Sequence, residues 1–302
     1  MGIIQCIGNT PLASIDGLNP NPRVKLFAKL EGSNPGGSVK DRIALYMIEA
    51  AEREGKLTRD KIVLEATSGN TGIGLAMVAA AKKYRVKLTM PACVSMERRK
   101  ILEAFGAELL LSPSEEGTDG AIRLAHRIYS EDSGMYFMPN QFDNQANVLA
   151  HYETTGKEII EQTGGKITHF VAGMGTTGTL MGVGKRLKEF NKDIKIIGVE
   201  PVLNHRIQGL KNMSESIVPK IFDPSLLDER HVINDEEAFD ITRMLAVKEG
   251  IFVGMSSGAA MHVGLRKSSE LREGVIVVIL PDRGDRYLST SLFASICAKC
   301  PP

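Results

Sequence analysis

The chain has 302 residues, 43% of them apolar and 24% charged, with 37 Lys plus Arg against 36 Asp plus Glu. That length allows two domains and a sizeable core. The balanced charge excludes an electrostatic case for nucleic acid or an anionic membrane as partner.

No apolar run approaches the length that spans a bilayer. The N-terminus, Met1-Gly2-Ile3-Ile4-Gln5-Cys6, has neither the basic region nor the apolar core of a secretory signal, so a cytoplasmic location is expected. Four cysteines do not make a disulfide framework in a chain this long. Cys297 and Cys300 form a C-x-x-C near the end. It lacks two further metal ligands and the strand-to-helix setting of a redox pair, so no metal is expected.

In chain order, the turn residues Asn34-Pro35-Gly36-Gly37 precede a helix that runs to Gly55, a good left-handed terminator. Residues 61–66 predict a buried strand, 73–84 a helix, 86–90 a strand, 96–105 a helix and 107–111 a strand. A helix over 118–129 and a short strand over 136–138 follow. The second half repeats the theme: strand 169–172, helix 179–190, strand 195–200, helix 235–248 with an acidic first turn, and the continuous apolar strand 275–280. This alternation argues for an α/β architecture with mainly parallel sheets. The boundary falls near residue 145. It gives a smaller N-terminal α/β domain over 1–145 and a C-terminal one over 146–302, with residues of about 12–34 as candidates to cross over and a cleft between the domains.

Four Gly-rich or hydroxyl-rich loops carry the chemistry. The first, 34–42, has Ser38 and Asp41 at capping-box spacing, which places Lys40 at the second helical position. The N–H groups and positive dipole end there disfavour an ammonium, and a free amine forms imines. The second, Thr67-Ser68-Gly69-Asn70-Thr71-Gly72, offers neutral donors at a helix N-terminus, suited to a carboxylate. The third, Gly173-Met174-Gly175-Thr176-Thr177-Gly178-Thr179, contains G-x-G-x-x-G after a strand, and Glu200 follows 22 residues after Gly178. In form this meets the dinucleotide fingerprint. Its three threonines suit a phosphate monoester better, so this loop leaves both readings open. The fourth, Gly254-Met255-Ser256-Ser257-Gly258-Ala259-Ala260, holds a serine pair that is either an N-cap or a hydrogen-bond partner for a heterocycle nitrogen.

With Ile7-Gly8-Asn9-Thr10-Pro11-Leu12, Gln141-Phe142-Asp143-Asn144 and Arg286-Tyr287-Leu288-Ser289-Thr290, these loops resemble the cysteine synthase (O-acetylserine sulfhydrylase) family of fold-type II pyridoxal-phosphate (PLP) enzymes. The likeness runs in order over nearly the whole chain. Asp282-Arg283-Gly284-Asp285-Arg286 and a Thr at the third position of the 175–179 loop resemble the B-type, which accepts thiosulfate as well as sulfide.

The resemblance implies a tryptophan-synthase-β-like fold with PLP bound in the cleft and Lys40 carrying it. Lys40 would also remove the substrate Cα proton. Asn70 would bond the phenolic oxygen of the cofactor, and Thr67, Ser68, Thr71 and Gln141 the substrate carboxylate. Gly175, Thr176, Thr177, Gly178 and Thr179 would cradle the phosphate, and Ser256 would face the pyridine nitrogen. A neutral serine leaves that nitrogen largely unprotonated. The weaker electron sink favours prompt loss of the β-substituent, giving an α-aminoacrylate that a sulfur nucleophile attacks. Lys211, just after Gly209, is the cationic position assigned to a second anionic substrate.

The implied reaction converts O-acetylserine, or a similar activated serine such as O-phosphoserine, to cysteine with sulfide or to S-sulfocysteine with thiosulfate. A homodimer and a serine acetyltransferase partner are further implications. Cystathionine β-synthase and the serine or threonine dehydratases are the alternatives within these folds. A nicotinamide-dependent dehydrogenase is the alternative outside them.

Overall fold

The structure is a computed structural model that describes residues 2–94, 96–214 and 218–293; Cys297 and Cys300 lie outside them. In chain order the elements are β1 (Leu12–Ser14), β2 (Val24–Leu30), α1 (Lys40–Arg53), β3 (Ile62–Ala66), α2 (Asn70–Lys82), β4 (Arg85–Pro91), α3 (Met96–Ala104) and β5 (Glu108–Ser112). Then come α4 (Gly117–Glu131), β6 (Tyr136–Phe137), α5 (Gln145–Ala150), a π-helical turn (His151–Thr155), α6 (Gly156–Gln162), β7 (His169–Gly173), α7 (Gly178–Phe190) and β8 (Lys195–Pro201). β9 (Glu229–Ile233), α8 (Asp235–Glu249), α9 (Met255–Glu270) and β10 (Gly274–Leu280) follow. The architecture is α/β with mainly parallel sheets, as the alternation predicts.

The chain divides into two compact units, one of Met1–Ile7 with Asn34–Asn147 and one of Gly8–Ser33 with Val148–Pro302. The first unit holds a parallel four-stranded sheet in the order β5-β4-β3-β6. The second holds six strands in the order β1-β2-β10-β7-β8-β9, parallel except where β1 runs against β2.

β10 shows why the second sheet reads as an unbroken apolar run. Ile276, Val278 and Leu280 enter a core shared with Ala259, Met261 and Val263 of α9, while Val277 and Ile279 pack with Leu180, Val183 and Leu187 of α7. With both faces covered by helices, every position is apolar, and each such side chain contributes about 1.5–3 kcal/mol on burial.

Three local expectations differ from the structure. α1 begins at Lys40 without a capping box: Lys40 N–H donates to Ser38 Oγ at 3.2 Å, and the Asp41 carboxylate accepts from Gly36 N–H at 2.6 Å instead. Gly37, at φ +81°, bends the loop so that Gly36 meets that carboxylate. Lys40 is therefore the first helical residue. α2 begins at Asn70, three residues before the expected start, because polar Asn70, Thr71 and Gly72 hide the apolar period. α9 is capped by Gly254, so Ser256 and Ser257 are its second and third residues and neither is the N-cap.

β1, β2, β9 and the helices over 145–162 went unpredicted. β2 reads as broken by Lys29, yet Lys29 is fully buried in the second unit. Its Nζ donates to Thr10 O at 2.7 Å, Glu158 Oε2 at 2.7 Å and Gln162 Oε1 at 2.8 Å. A buried ammonium is tolerated when it is paired and fully hydrogen-bonded in this way.

Candidate active site

In the first unit, helix α2 passes so close to the start of α1 that a Cβ on Gly74 would stand 3.0 Å from the Lys40 carbonyl oxygen. Lys40, half-buried, thus begins α1 beside the helix that carries the second loop. Thr67 N–H continues the sheet by donating to Thr89 O at 3.0 Å, and Gly69 N–H donates to Thr67 Oγ1 at 3.3 Å. Asn70 opens α2. Thr71, one residue on, is buried and donates its hydroxyl to Gln141 Oε1 at 2.6 Å.

Gln141 is held at three points within this unit. Its side chain accepts from Thr71, its carbonyl accepts from Asn147 Nδ2 at 2.8 Å, and its N–H donates to Glu65 Oε1 at 3.3 Å. Asn140 N–H donates to the other Glu65 oxygen at 2.8 Å. Burial pushes the Glu65 carboxyl up to about 7, with the two N–H donors pulling the other way. The sequence reading missed Glu65. An acidic residue inside the apolar run Ile62-Val63-Leu64-Glu65-Ala66 was the available signal.

In the second unit β7 runs into the third loop and α7. Thr176 and Thr177 are buried. Thr177 has φ +67°, unusual for a β-branched residue, and its hydroxyl donates to Thr176 O at 2.6 Å. Gly175 lies so close to the chain that a Cβ there would come 2.6 Å from Gly209 O. Lys211 N–H donates to Met174 O at 2.8 Å, which ties the Gly209–Lys211 segment to the same loop. A Cβ on Gly209, itself at φ +92°, would stand 3.9 Å from Ser256 Oγ. The third loop, Lys211 and the start of α9 therefore share one neighbourhood. The buried Ser257 Oγ has no hydrogen-bond partner.

One residue here escaped the sequence reading. His151 is fully buried, with Nδ1 3.0 Å from Thr155 Oγ1 and Nε2 3.2 Å from Thr179 Oγ1. It anchors the last threonine of the loop from a π-helical turn whose pattern gave no signal. Asp282 lies against Gly254 at the start of α9 and accepts from Tyr287 Oη at 2.5 Å.

The dinucleotide reading of the third loop meets an obstacle at Glu200. That carboxylate is buried and gripped by Arg230, Nε to Oε1 and a terminal guanidinium nitrogen to Oε2, both at 2.5 Å. It also accepts from Met213 N–H at 3.0 Å. A ribose hydroxyl would have to displace a two-point ion pair.

A family model described as pyridoxal-phosphate dependent enzyme matches residues 3–282. The chain belongs to this family. It is 48% identical over 289 residues to cysteine synthase B of Escherichia coli (strain K12), covering 96% of this chain and 95% of that protein. Cysteine synthase of Aquifex aeolicus (strain VF5) is also 48% identical, over 97% of this chain and 92% of that one. The solved structure of a cysteine synthase from Entamoeba histolytica superposes with a TM-score of 0.92 at 40% identity, covering 97% of this chain and 90% of that one.

Members of this family depend on PLP, and each unit by itself presents groups suited to part of such a cofactor. The third loop offers hydroxyls, the N–H groups at the start of α7 and a glycine whose missing Cβ admits close backbone approach, all suited to a phosphate monoester. α9 presents neutral hydroxyls in its first turn, and Lys40 supplies a primary amine at the start of α1. Among the described residues no cluster of three His, Cys, Asp or Glu is placed to hold a metal ion. No helix among them is long and apolar enough to cross a membrane.

Proposed function

We propose that this chain is a cysteine synthase. It catalyses β-replacement on O-acetylserine, or a similar activated serine, by sulfide or thiosulfate, giving cysteine or S-sulfocysteine. The observation that carries this reading is the 48% identity to a B-type cysteine synthase over 96% of the chain.

The bound cofactor supplies the electron sink that acidifies the substrate Cα–H. This chain's residues do the rest. Lys40 Nζ would hold the cofactor, and its amine would take the substrate Cα proton as a general base. Asn70 would hold the phenolic oxygen. Thr67, Ser68 and Gln141 would hold the substrate carboxylate through neutral donors at the positive end of α2, and Thr71 would act on it through the Gln141 amide that its hydroxyl orients. With Gln141 Oε1 engaged by Thr71, the Gln141 side chain presents its Nε2 donor. The N–H groups and hydroxyls of Gly175, Thr176, Thr177, Gly178 and Thr179 hold the phosphate, with Thr179 set by His151.

Ser256 would offer the pyridine nitrogen a neutral group. A hydroxyl there would not hold a proton on the nitrogen as a carboxylate would. Lys211 offers its cation to an anionic second substrate such as thiosulfate. The working form is a cytoplasmic homodimer, with serine acetyltransferase as a partner.

The test is an assay of the purified holoenzyme with O-acetylserine and with O-phosphoserine, each paired with sulfide and with thiosulfate. Formation of cysteine or S-sulfocysteine is expected, and Lys40→Ala abolishes it while the protein stays folded by circular dichroism. Turnover of serine or threonine to a keto acid, with no β-replacement, would sink the reading in favour of a dehydratase.

A further inference from the structure

Glu65 is buried on an inner strand of the four-stranded sheet, and its two carboxylate oxygens take the consecutive N–H groups of Asn140 and Gln141. Strand alternation puts it on the face opposite Ile62 and Leu64, which pack with Ala125 of α4. Its register partner Leu88 touches Gly72, so Glu65 shares the α2 side of the sheet.

Among the described residues, no cation offsets this carboxylate. α2 carries its one ionisable residue, Lys82, at its far end. The charged residues at the start of α1 are Lys40, Asp41 and Arg42, and the turn after β6 carries Asp143. β4 carries Arg85 and Lys87. α4, on the other face, carries Asp119, Arg123, His126, Arg127 and Glu131. None of these acts on Glu65: burial opposes its ionisation and the two amides favour it. The turn it holds includes Asn140 at φ +50°, a left-handed conformation that Asn adopts more readily than most side chains.

We propose that Glu65 is a positioning residue for acceptor binding: its ionised carboxylate fixes the Asn140–Gln141 turn so that Gln141, accepting from Thr71, presents its amide to the substrate carboxylate, and protonation of Glu65 releases that turn. This rests on the reading that Gln141 holds the substrate carboxylate. The chemistry is asymmetric. Two N–H donors need two acceptor oxygens, and a protonated carboxyl turns one of its oxygens into a donor facing a donor. Because the carboxyl is pushed up to about 7, the two forms exchange within the pH range of an ordinary assay.

The experiment compares holoenzymes of wild type, Glu65→Gln and Gln141→Ala with O-acetylserine and sulfide between pH 6 and pH 8. Glu65→Gln keeps the shape and one acceptor. Its KM for O-acetylserine is expected to exceed wild type by about tenfold at pH 8, the scale of one lost charge-assisted hydrogen bond. The ratio falls toward one at pH 6, where wild-type Glu65 is itself protonated, while kcat differs by less than about threefold. Taking the ratio removes the titration of the substrate amine, common to both enzymes.

A second readout is independent of turnover. The backbone amide resonances of Asn140 and Gln141 titrate with a midpoint near 7 in wild type and do not titrate in Glu65→Gln. A KM ratio that stays constant across pH, or amides that do not titrate in wild type, overturns the role of Glu65. An unchanged KM in Gln141→Ala overturns the assignment of Gln141 to the substrate carboxylate instead, and the amide titration separates the two failures.

Discussion

The Thr71 hydroxyl donates to Gln141 Oε1 at 2.6 Å, joining two buried residues 70 positions apart in sequence. This bond spends the hydroxyl proton of Thr71 on orienting an amide, so the two residues act on the substrate as a unit. Thr71→Val, which keeps the shape, is expected to raise KM for O-acetylserine about tenfold by leaving a buried acceptor unmatched. In the double variant with Gln141→Ala the effects are less than additive, as expected of residues in one hydrogen-bond network. Strict additivity in a double-mutant cycle would mean that Thr71 meets the substrate on its own.

Gly175→Ala probes the phosphate loop. The added Cβ would sit 2.6 Å from Gly209 O, a backbone atom that cannot swing aside as a long side chain does. Displacement of the loop is expected to weaken PLP binding by tenfold or more with far-ultraviolet circular dichroism unchanged. Titrating apoprotein with PLP and following protein fluorescence measures it. Wild-type affinity in the alanine variant would place the cofactor phosphate elsewhere.

Stability has its own signature at Glu65. In the unfolded chain its carboxyl titrates near the ordinary value of 4.5, and burial raises it to about 7 in the folded state. The folded protein therefore holds the extra proton between those values, and stability falls as pH rises from about 4.5 to 7, then levels. Glu65→Gln escapes this penalty. Its Tm is expected to exceed that of wild type at pH 8, by the equivalent of about 3 kcal/mol. The gap should narrow as pH falls through 7 and close near 4.5. A variant less stable than wild type at pH 8 would show that the carboxylate's hydrogen bonds outweigh its burial cost. The same substitution is thus expected to stabilise the fold and weaken acceptor binding.

Arg230→Leu tests the ion pair that occupies Glu200. It strips a nearly buried carboxylate of its partner, and a loss of about 2–3 kcal/mol is expected in urea unfolding. The full cost of a broken buried pair is not reached, because Arg230 is itself 39% exposed. Wild type is expected to bind no NAD by calorimetry, since the acidic residue of the fingerprint is engaged. Measurable NAD binding would reopen the dinucleotide reading.

The strands and helices from 61 to 137 and from 169 to 200 were legible because each pairs a regular apolar period with a Gly, Pro or hydroxyl boundary. The starts of α1 and α2 were misplaced by one and three residues. There polar groups within the first turn replace the usual cap, and local pattern cannot distinguish loop from helix. β2 was lost for a different reason. Lys29 looks like an exposed break until Thr10, Glu158 and Gln162 surround its ammonium.

The sequence by itself determined the α/β class, the four loops that end strands and open helices, and the amine at Lys40. All of these depend on residues close together in the chain, whose backbone preferences and side-chain types act locally. Only the tertiary structure decided that Glu65 and Thr71 hold the turn at Gln141, that His151 holds Thr179, and that Arg230 closes Glu200. Those pairings join residues 28 to 76 positions apart. No periodicity encodes them, because they arise from which helices and turns the sheets bring into contact, and burial then makes each unmatched partner costly.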